Sequence, residues 1–318
     1  MKNELKNMFT EHWSYLAVNT ACKLNLFDIL ETPKTADELC NELNLNEKNL
    51  VNLLQALFQN GFLNLSNNQY IVNQKSELLT ENHPESLKYA CMNWANEHLT
   101  AWQNLDYTIK TGKSAFEKLY KNIFFDYLNE HPEKLNAYHK AMFEYAREDY
   151  KTLSEKIDFS KYKSVMDCGG GYGALIKNIK EKFPQIDCYL FDLPQVIENV
   201  KTENIQKISG NFFESIPQVA EAIILSRVLH DWDNEKASLI LKNCYQALPA
   251  NGTLYIIENC ADKINIDLSL LSLNMAVVCE SFERNSEEYK VLCEKQDFKF
   301  QSEMQLNQLQ TILIFSKL

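Results

Sequence analysis

The stretch Ser164-Val165-Met166-Asp167-Cys168-Gly169-Gly170-Gly171-Tyr172-Gly173-Ala174-Leu175 constrains the fold more than any other part of the chain. An apolar strand runs into an acid, then into four glycines within five positions, and then into a helix predicted over Ala174 to Phe183. The whole chain of 318 residues has only eight glycines, so half of them are spent on one turn. Glycine tolerates positive φ and lets backbone approach a ligand closely, and a helix N-terminus follows, which makes the turn a cofactor cradle.

Spacing alone leaves two cofactors open, because Gly169, Gly171 and Ala174 also satisfy the relaxed dinucleotide fingerprint G-x-G-x-x-G/A. Charge separates them. A pyrophosphate prefers backbone donors and neutral or basic surroundings, whereas Asp167 sets a carboxylate directly before the glycines. S-adenosyl-L-methionine carries an ammonium and a sulfonium but no phosphate, and suits an acid–glycine turn better. Asp192 ends the next apolar run, Cys188-Tyr189-Leu190-Phe191, where a carboxylate can accept both ribose hydroxyls of either cofactor.

Pattern outside the turn gives the domain plan. Apolar residues recur at helical spacing from Trp13 to about Leu30, and Thr35 to Leu39 reads as an N-capped helix start. Asn46 to Asn60 reads as an amphipathic helix closed by Gly61, and Phe62–Leu65 with Gln69–Val72 as a small hairpin. Three helices and a hairpin make the winged-helix order, which raises a DNA-binding reading. Residues 1–85 hold six lysines, no arginine and eleven acids, which lacks the footprint of a nucleic-acid binder. The apolar faces serve better for packing a partner subunit, so residues 1–85 are expected to be an all-α, winged-helix-like dimerisation domain. Glu85 to Tyr150 are predicted helical throughout and rich in aromatics, and residues 86–157 are expected to form a helical connection that roofs an active site. Residues 158–318 alternate strands with helices, which predicts a mostly parallel α/β sheet of Rossmann-like type with an antiparallel last pair. Strands are expected at Ser164–Cys168, Cys188–Asp192, Gln206–Ser209, Ala222–Ser226 and Gly252–Glu258, and helices at Gln195–Lys201, Asp233–Leu248 and Ser286–Gln296.

The net charge of −11 argues against polyanionic partners, both nucleic acid and anionic membrane. Nine scattered cysteines without a C-x-x-C pair read as core residues of a cytoplasmic protein. Residues 1–24 carry Glu4 and Glu11 among their apolar positions, which is not a secretory leader, and no apolar run reaches membrane-span length. Arginine occurs only at Arg147, Arg227 and Arg284 in a lysine-rich chain, which hints at geometric need at those positions.

In open α/β sheets ligands bind beyond the carboxyl ends of the strands. The segments there are Asp167 to Gly173, Phe191-Asp192-Leu193-Pro194, Gly210-Asn211-Phe212-Phe213-Glu214-Ser215-Ile216-Pro217 and Ser226-Arg227-Val228-Leu229-His230-Asp231-Trp232-Asp233. Together they resemble the caffeate/hydroxyindole O-methyltransferase family, over nearly the whole chain, since that family also begins with a winged-helix dimerisation domain. The resemblance implies a class I methyltransferase sheet and a homodimer that uses S-adenosyl-L-methionine on a small aromatic hydroxyl compound. It implies that Asp167, Gly169 and Gly171 hold the methionine end, that Asp192 holds the ribose with Leu193 also at the cofactor, and that Asn211 and Phe212 frame the adenine. Arg227 and Tyr127 would also touch the cofactor. His230 would be the general base, with Glu258 and Glu283 beside its imidazole, and Asn274, Met142 and Asp231 would face the substrate.

Chemistry supports those roles. Methyl transfer from a sulfonium needs alignment and removal of the acceptor's proton, and no metal. A phenol near pKa 10 losing its proton to an ordinary histidine near 6.5 is uphill by roughly 5 kcal/mol, a gap that nearby carboxylates narrow. Two positions depart from the family: Asn211 stands where Asp is usual, and Glu280-Ser281-Phe282 replaces a Gly-Gly or Gly-Lys step. Rival readings are a relative with altered chemistry, either a C- or N-methyltransferase or a non-methylating decarboxylase, hydroxylase or cyclase, and a winged-helix ligand-sensing regulator.

Overall fold

The computed structural model describes residues 2–262 and 265–317. Contacts divide the chain into two units, Met1–Glu97 and His98–Leu318.

In the first unit the helix predicted from Trp13 to Leu30 is two helices, Glu11–Lys23 and Leu26–Ile29, because Asn25 takes the left-handed conformation at φ 55°. Asn is one of the few residues that enters that region cheaply, and the break re-aims Leu26 and Phe27 into the core. The helix Ala36–Leu43 starts on a reciprocal cap: Glu38 N donates to Thr35 Oγ1 at 3.2 Å while Thr35 N donates to Glu38 Oε2 at 2.7 Å. Asn46 caps Glu47–Gln59 in turn. Strands β1 (Leu63–Ser66) and β2 (Gln69–Val72) pair antiparallel through Asn67 and Asn68, both at positive φ, which suits a tight hairpin turn. Leu26, Leu30, Leu39, Leu54 and Leu57 close the core of this unit. Its first helices leave Leu5, Met8, Phe9 and Trp13 between 50% and 65% exposed.

The second unit is built on a seven-stranded sheet. Its strands are β3 (Ser164–Cys168), β4 (Asp187–Asp192), β5 (Gln206–Ser209), β6 (Ala222–Ser226), β7 (Thr253–Asn259), β8 (Phe298–Gln305) and β9 (Gln310–Lys317). The order is β5-β4-β3-β6-β7-β9-β8, with β3 to β7 parallel and β9 antiparallel to both neighbours, as the alternation and the final strand pair lead one to expect. Both faces are covered. Helices Asn234–Ala247 and Ser286–Glu294 pack on one side, and Ala174–Lys182 with Leu153 and Phe159 on the other. That double burial is why Ile223, Ile224 and Leu225 of β6 form an unbroken apolar run instead of alternating. The order reverses between β3 and β6, so the crevice forms past the ends of those two strands.

Two predicted helical stretches are shorter. Residues 85–150 are not helical throughout: Gly112 at φ 71° and Lys121 at φ 60° end the helices Leu105–Thr111 and Ala115–Tyr120. Pro132 then opens Pro132–Asp149, where its missing N–H costs nothing. The helix expected from Gln195 to Lys201 lasts one turn, Pro194–Ile197. There Asn199 Nδ2 takes the Gln195 carbonyl at 2.8 Å, the acceptor its own backbone N–H would need, and that N–H turns to the Val196 carbonyl instead. Among the described residues no helix is long and apolar enough to cross a membrane.

Candidate active site

The turn after β3 is tight because its glycines admit neighbours at contact distance. A Cβ on Gly170 would lie 2.5 Å from the Asp167 carboxyl and from Leu190 Cδ1, and one on Gly169, at φ +75°, would lie 2.9 Å from Val228 Cγ2. Asp167 is thereby walled in, and its Oδ2 is buried with no partner among the described residues. Burial, and then the nearby Asp192, push its carboxyl up to about 7. Asp192, at the end of β4, accepts from Gly171 N at 2.8 Å and from Leu193 N at 2.7 Å. Burial outweighs those two bonds and raises Asp192 to about 6. An orphaned buried carboxylate next to a second one is an arrangement that awaits donors or positive charge.

One cleft joins these groups to the segment after β6. Asp167, Gly169 and Gly171 line it with Asp192 and Leu193, with Asn211 and Phe212 past β5, and with Arg227, His230 and Asp231 past β6. Met142 reaches it from the helix Pro132–Asp149. Asn211 Oδ1 accepts from Phe213 N at 3.0 Å, so the amide that replaces the usual Asp is partly used in its own turn. Arg227 sits at φ 54°, a strained conformation for an arginine, and its Nη1 donates to Asp149 Oδ2 at 3.4 Å. Two other residues lie off the cleft wall. Tyr127 is buried in an aromatic cluster with Phe116 and Tyr120, and its hydroxyl accepts from Lys134 Nζ at 2.5 Å. Asn274 Oδ1 accepts from Trp102 Nε1 at 2.8 Å.

Glu258 and Glu283 are fully buried behind His230. His230 Nδ1 is 3.0 Å from Glu283 Oε1 and 3.8 Å from Glu258 Oε2, and Nε2 is 3.7 Å from Asp231 Oδ1. With Nδ1 committed to Glu283, Nε2 is the nitrogen left to serve the cleft. Burial opposes a charged imidazole, but Glu283, Glu258 and Asp231 together outweigh it and push His230 up to about 10. Burial likewise works against the Glu283 charge, yet the His230 cation and the bond from Asn259 Nδ2 at 3.1 Å hold that carboxyl below its ordinary value. Burial raises Glu258 to about 7, and its Oε1 accepts from Val228 N at 2.9 Å and Leu229 N at 2.8 Å. Glu258 therefore acts on the short turn Leu229–Asp231 that carries the histidine as much as on the ring itself.

The same turn is held from outside by residues that sequence reasoning did not assign. Ser281 Oγ donates to the His230 carbonyl at 2.5 Å, and Arg284 donates to the carbonyls of Leu229 at 2.8 Å and Trp232 at 2.6 Å. Tyr138, His139 and Tyr150 line the cleft from the helical segment, and Tyr150 Oη lies 2.7 Å from Ser226 Oγ. The scarcity of arginine pointed to Arg284 and the aromatic richness of the helical segment to Tyr138; the others had no signal in the sequence.

A model of the O-methyltransferase domain matches residues 102–299, well over half of the chain. The chain belongs to the O-methyltransferase family. An O-methyltransferase dimerisation domain also matches residues 7–82 of this methyltransferase. Phenazine O-methyltransferase PhzM of Lysobacter antibioticus is 29% identical over 300 residues, covering 91% of this chain and 88% of the relative. The crystal structure of LaPhzM superposes with a TM-score of 0.94 at 27% identity, covering 100% of this chain and 99% of the other. Human N-acetylserotonin methyltransferase, solved in complex with SAM, shares the fold with a TM-score of 0.90 at 22% identity, over 99% and 97% of the two chains.

Proposed function

We propose that this O-methyltransferase transfers the methyl group of S-adenosyl-L-methionine to a hydroxyl of a small aromatic acceptor, with His230 as the general base and a homodimer as the working form. The observation that carries the reading is the placement of His230, backed by Glu283 at 3.0 Å, in the same cleft as the glycine turn and Asp192. The residues present fit the cofactor: the unpartnered Asp167 Oδ2 suits an ammonium, Asp192 suits ribose hydroxyls, and the glycines leave room for a ligand against the backbone. When bound, the cofactor supplies an electrophilic methyl on a sulfonium. The Lysobacter relative is named for phenazine O-methylation, and the cleft here has aromatic walls in Phe125, Tyr138 and Trp232, which suits a flat acceptor. Incubation of the protein with S-adenosyl-L-methionine and a panel of phenols tests the reading. A mass gain of one methyl with release of S-adenosylhomocysteine supports it, and cofactor binding without any methylated phenol, amine or carbon acid overturns it.

His230 takes the acceptor's proton because its basicity is matched to a phenol. With the imidazole near 10, transfer from a hydroxyl of similar pKa is close to balanced, where an ordinary histidine would face roughly 5 kcal/mol. The match has a consequence. At neutral pH the free imidazole already holds a proton, so the productive state has lost one proton, and turnover should rise with pH through the apparent pKa of the cluster. Glu283→Gln removes the nearest negative charge, lowers the imidazole pKa and should move that rising limb at least one unit toward acid pH while reducing the plateau. A limb that stays in place on a pH–rate profile would remove Glu283 from tuning the ring.

The dimer reading rests on the domain match at residues 7–82 and on the exposed apolar side chains of the helices Lys2–Met8 and Glu11–Lys23 and the turn between them, Leu5, Met8, Phe9 and Trp13. Deleting residues 1–30 would also remove Leu26, Phe27 and Leu30 from the core of the first unit, so a point charge is the sharper probe. Trp13→Glu should shift the protein from dimer to monomer in sedimentation at micromolar concentration with its circular dichroism unchanged. A dimer of undiminished stability would place the interface elsewhere.

A further inference from the structure

The helix Pro132–Asp149 brings one group to the cleft that the proposed chemistry does not use. His139 lines the cleft, half-buried, with its ring stacked on Tyr172 at 5.2 Å between centroids and 27° between planes. Tyr172 is itself fixed, since its hydroxyl donates to Asn136 Oδ1 at 2.7 Å one turn back along the same helix. Neither imidazole nitrogen of His139 has a hydrogen-bond partner among the described residues. Burial pushes the ring down to about 4, so it is neutral in the physiological range and carries one N–H donor and one acceptor.

The third glycine of the turn explains how the ring comes so close. A Cβ on Gly171 would lie 3.2 Å from His139 Nδ1, tighter than ordinary contact, and Gly171 sits at φ +56°. The backbone N–H of Gly171 meanwhile donates to Asp192 Oδ2 at 2.8 Å. One glycine therefore has the acid on one side and the imidazole on the other. A hydroxyl bound in that corner can donate a hydrogen bond to the Asp192 carboxylate, and its oxygen can then accept one from a further donor. A cationic lysine or arginine there would pair with Asp192 and cancel the acceptor; a neutral imidazole complements it.

On the reading that the cleft holds S-adenosyl-L-methionine, we propose that His139 is a second ribose-binding residue, which donates from its ring N–H to a ribose hydroxyl that Asp192 accepts from. Gly171 lacks a side chain so that this imidazole can approach, and Tyr172 sets the plane of the ring. The residue positions the cofactor and takes no part in the methyl transfer.

Isothermal titration with S-adenosylhomocysteine and with its 2′-deoxy and 3′-deoxy analogues tests the assignment without turnover. His139→Ala should weaken S-adenosylhomocysteine by roughly three- to tenfold, the worth of a neutral hydrogen bond. The same substitution should cost nothing further against one of the two deoxy analogues, because the hydroxyl that His139 serves is already gone. His139→Phe, which keeps the stack on Tyr172 but loses the donor, should behave as His139→Ala does. Equal binding of S-adenosylhomocysteine by wild type and His139→Ala overturns the proposal, as does a loss of equal size for all three ligands, which would mark a packing role. Failure of the wild type to bind S-adenosylhomocysteine at all would instead overturn the cofactor reading.

Discussion

His230→Ala lowers turnover of a phenolic acceptor by roughly 10²–10⁴ and leaves cofactor affinity nearly unchanged. The size follows from what is removed. The substitution takes away the cleft imidazole that the buried Glu258 and Glu283 back, while Asp167, the glycine turn and Asp192 stay as they are. Steady-state kinetics with a methylated product quantified by mass, together with titration of S-adenosylhomocysteine, separate the two effects. Glu258→Gln and Glu283→Gln should each cost less than His230→Ala, and neither should add its full effect on top of it, because the carboxylates act through the ring. Glu258→Gln should also raise KM more than Glu283→Gln does, since Glu258 Oε1 ties down the backbone of Val228 and Leu229 as well. Near-wild-type turnover by His230→Ala would leave alignment alone as the source of catalysis and remove the general base.

The parts of the site that could be read from the sequence are those whose position is set by the sheet. Asp167 and Asp192 sit at the carboxyl ends of β3 and β4, the glycines, Asn211 and His230 follow their strands within a few residues, and parallel strands deliver all of these to the same edge. The mostly parallel sheet with its antiparallel last pair was equally legible, because alternating apolar runs and crossover helices leave few alternatives. What depends on packing between helices was not. Helical periodicity marks a face of Pro132–Asp149, but which neighbour that face meets is decided by breaks at Gly112, Lys121 and Pro132, so His139 carried no visible signal and Tyr138 only that of one aromatic among many in the expected roof. Asn274 shows the same limit: its oxygen meets Trp102, some 170 positions earlier in the chain, through a contact no local pattern encodes. The overlong helix expected after Asp192 failed on a side-chain bond, Asn199 to Gln195, which propensity alone does not weigh.

Arg284→Met should destabilise the second unit by about 3–5 kcal/mol, the largest stability effect expected of any single change near the site. Arg284 is only 1% exposed, and its guanidinium spends its donors on three acceptors: the Leu229 and Trp232 carbonyls and Asn234 Oδ1 at 3.0 Å. Methionine fills similar volume and keeps the apolar contacts of the stem, so the loss isolates the hydrogen bonds. The Trp232 carbonyl would then lose the guanidinium, the Leu229 carbonyl would keep only the 3.3 Å bond from Trp232 N, and each charge-assisted bond of this kind is worth about 1.5–3 kcal/mol. Lysine is no remedy, because one ammonium on a flexible stem cannot span acceptors at both ends of the Leu229–Trp232 segment as a planar fork does. That accounts for an arginine here in a chain that otherwise relies on lysine. Urea unfolding followed by circular dichroism should show Arg284→Met and Arg284→Lys both with lowered midpoints. Both should also bring a loss of turnover larger than any loss of cofactor binding, because the turn that slackens carries the base and not the glycine cradle. A wild-type midpoint with intact turnover would mean that Glu258 and Ser281 hold the turn unaided.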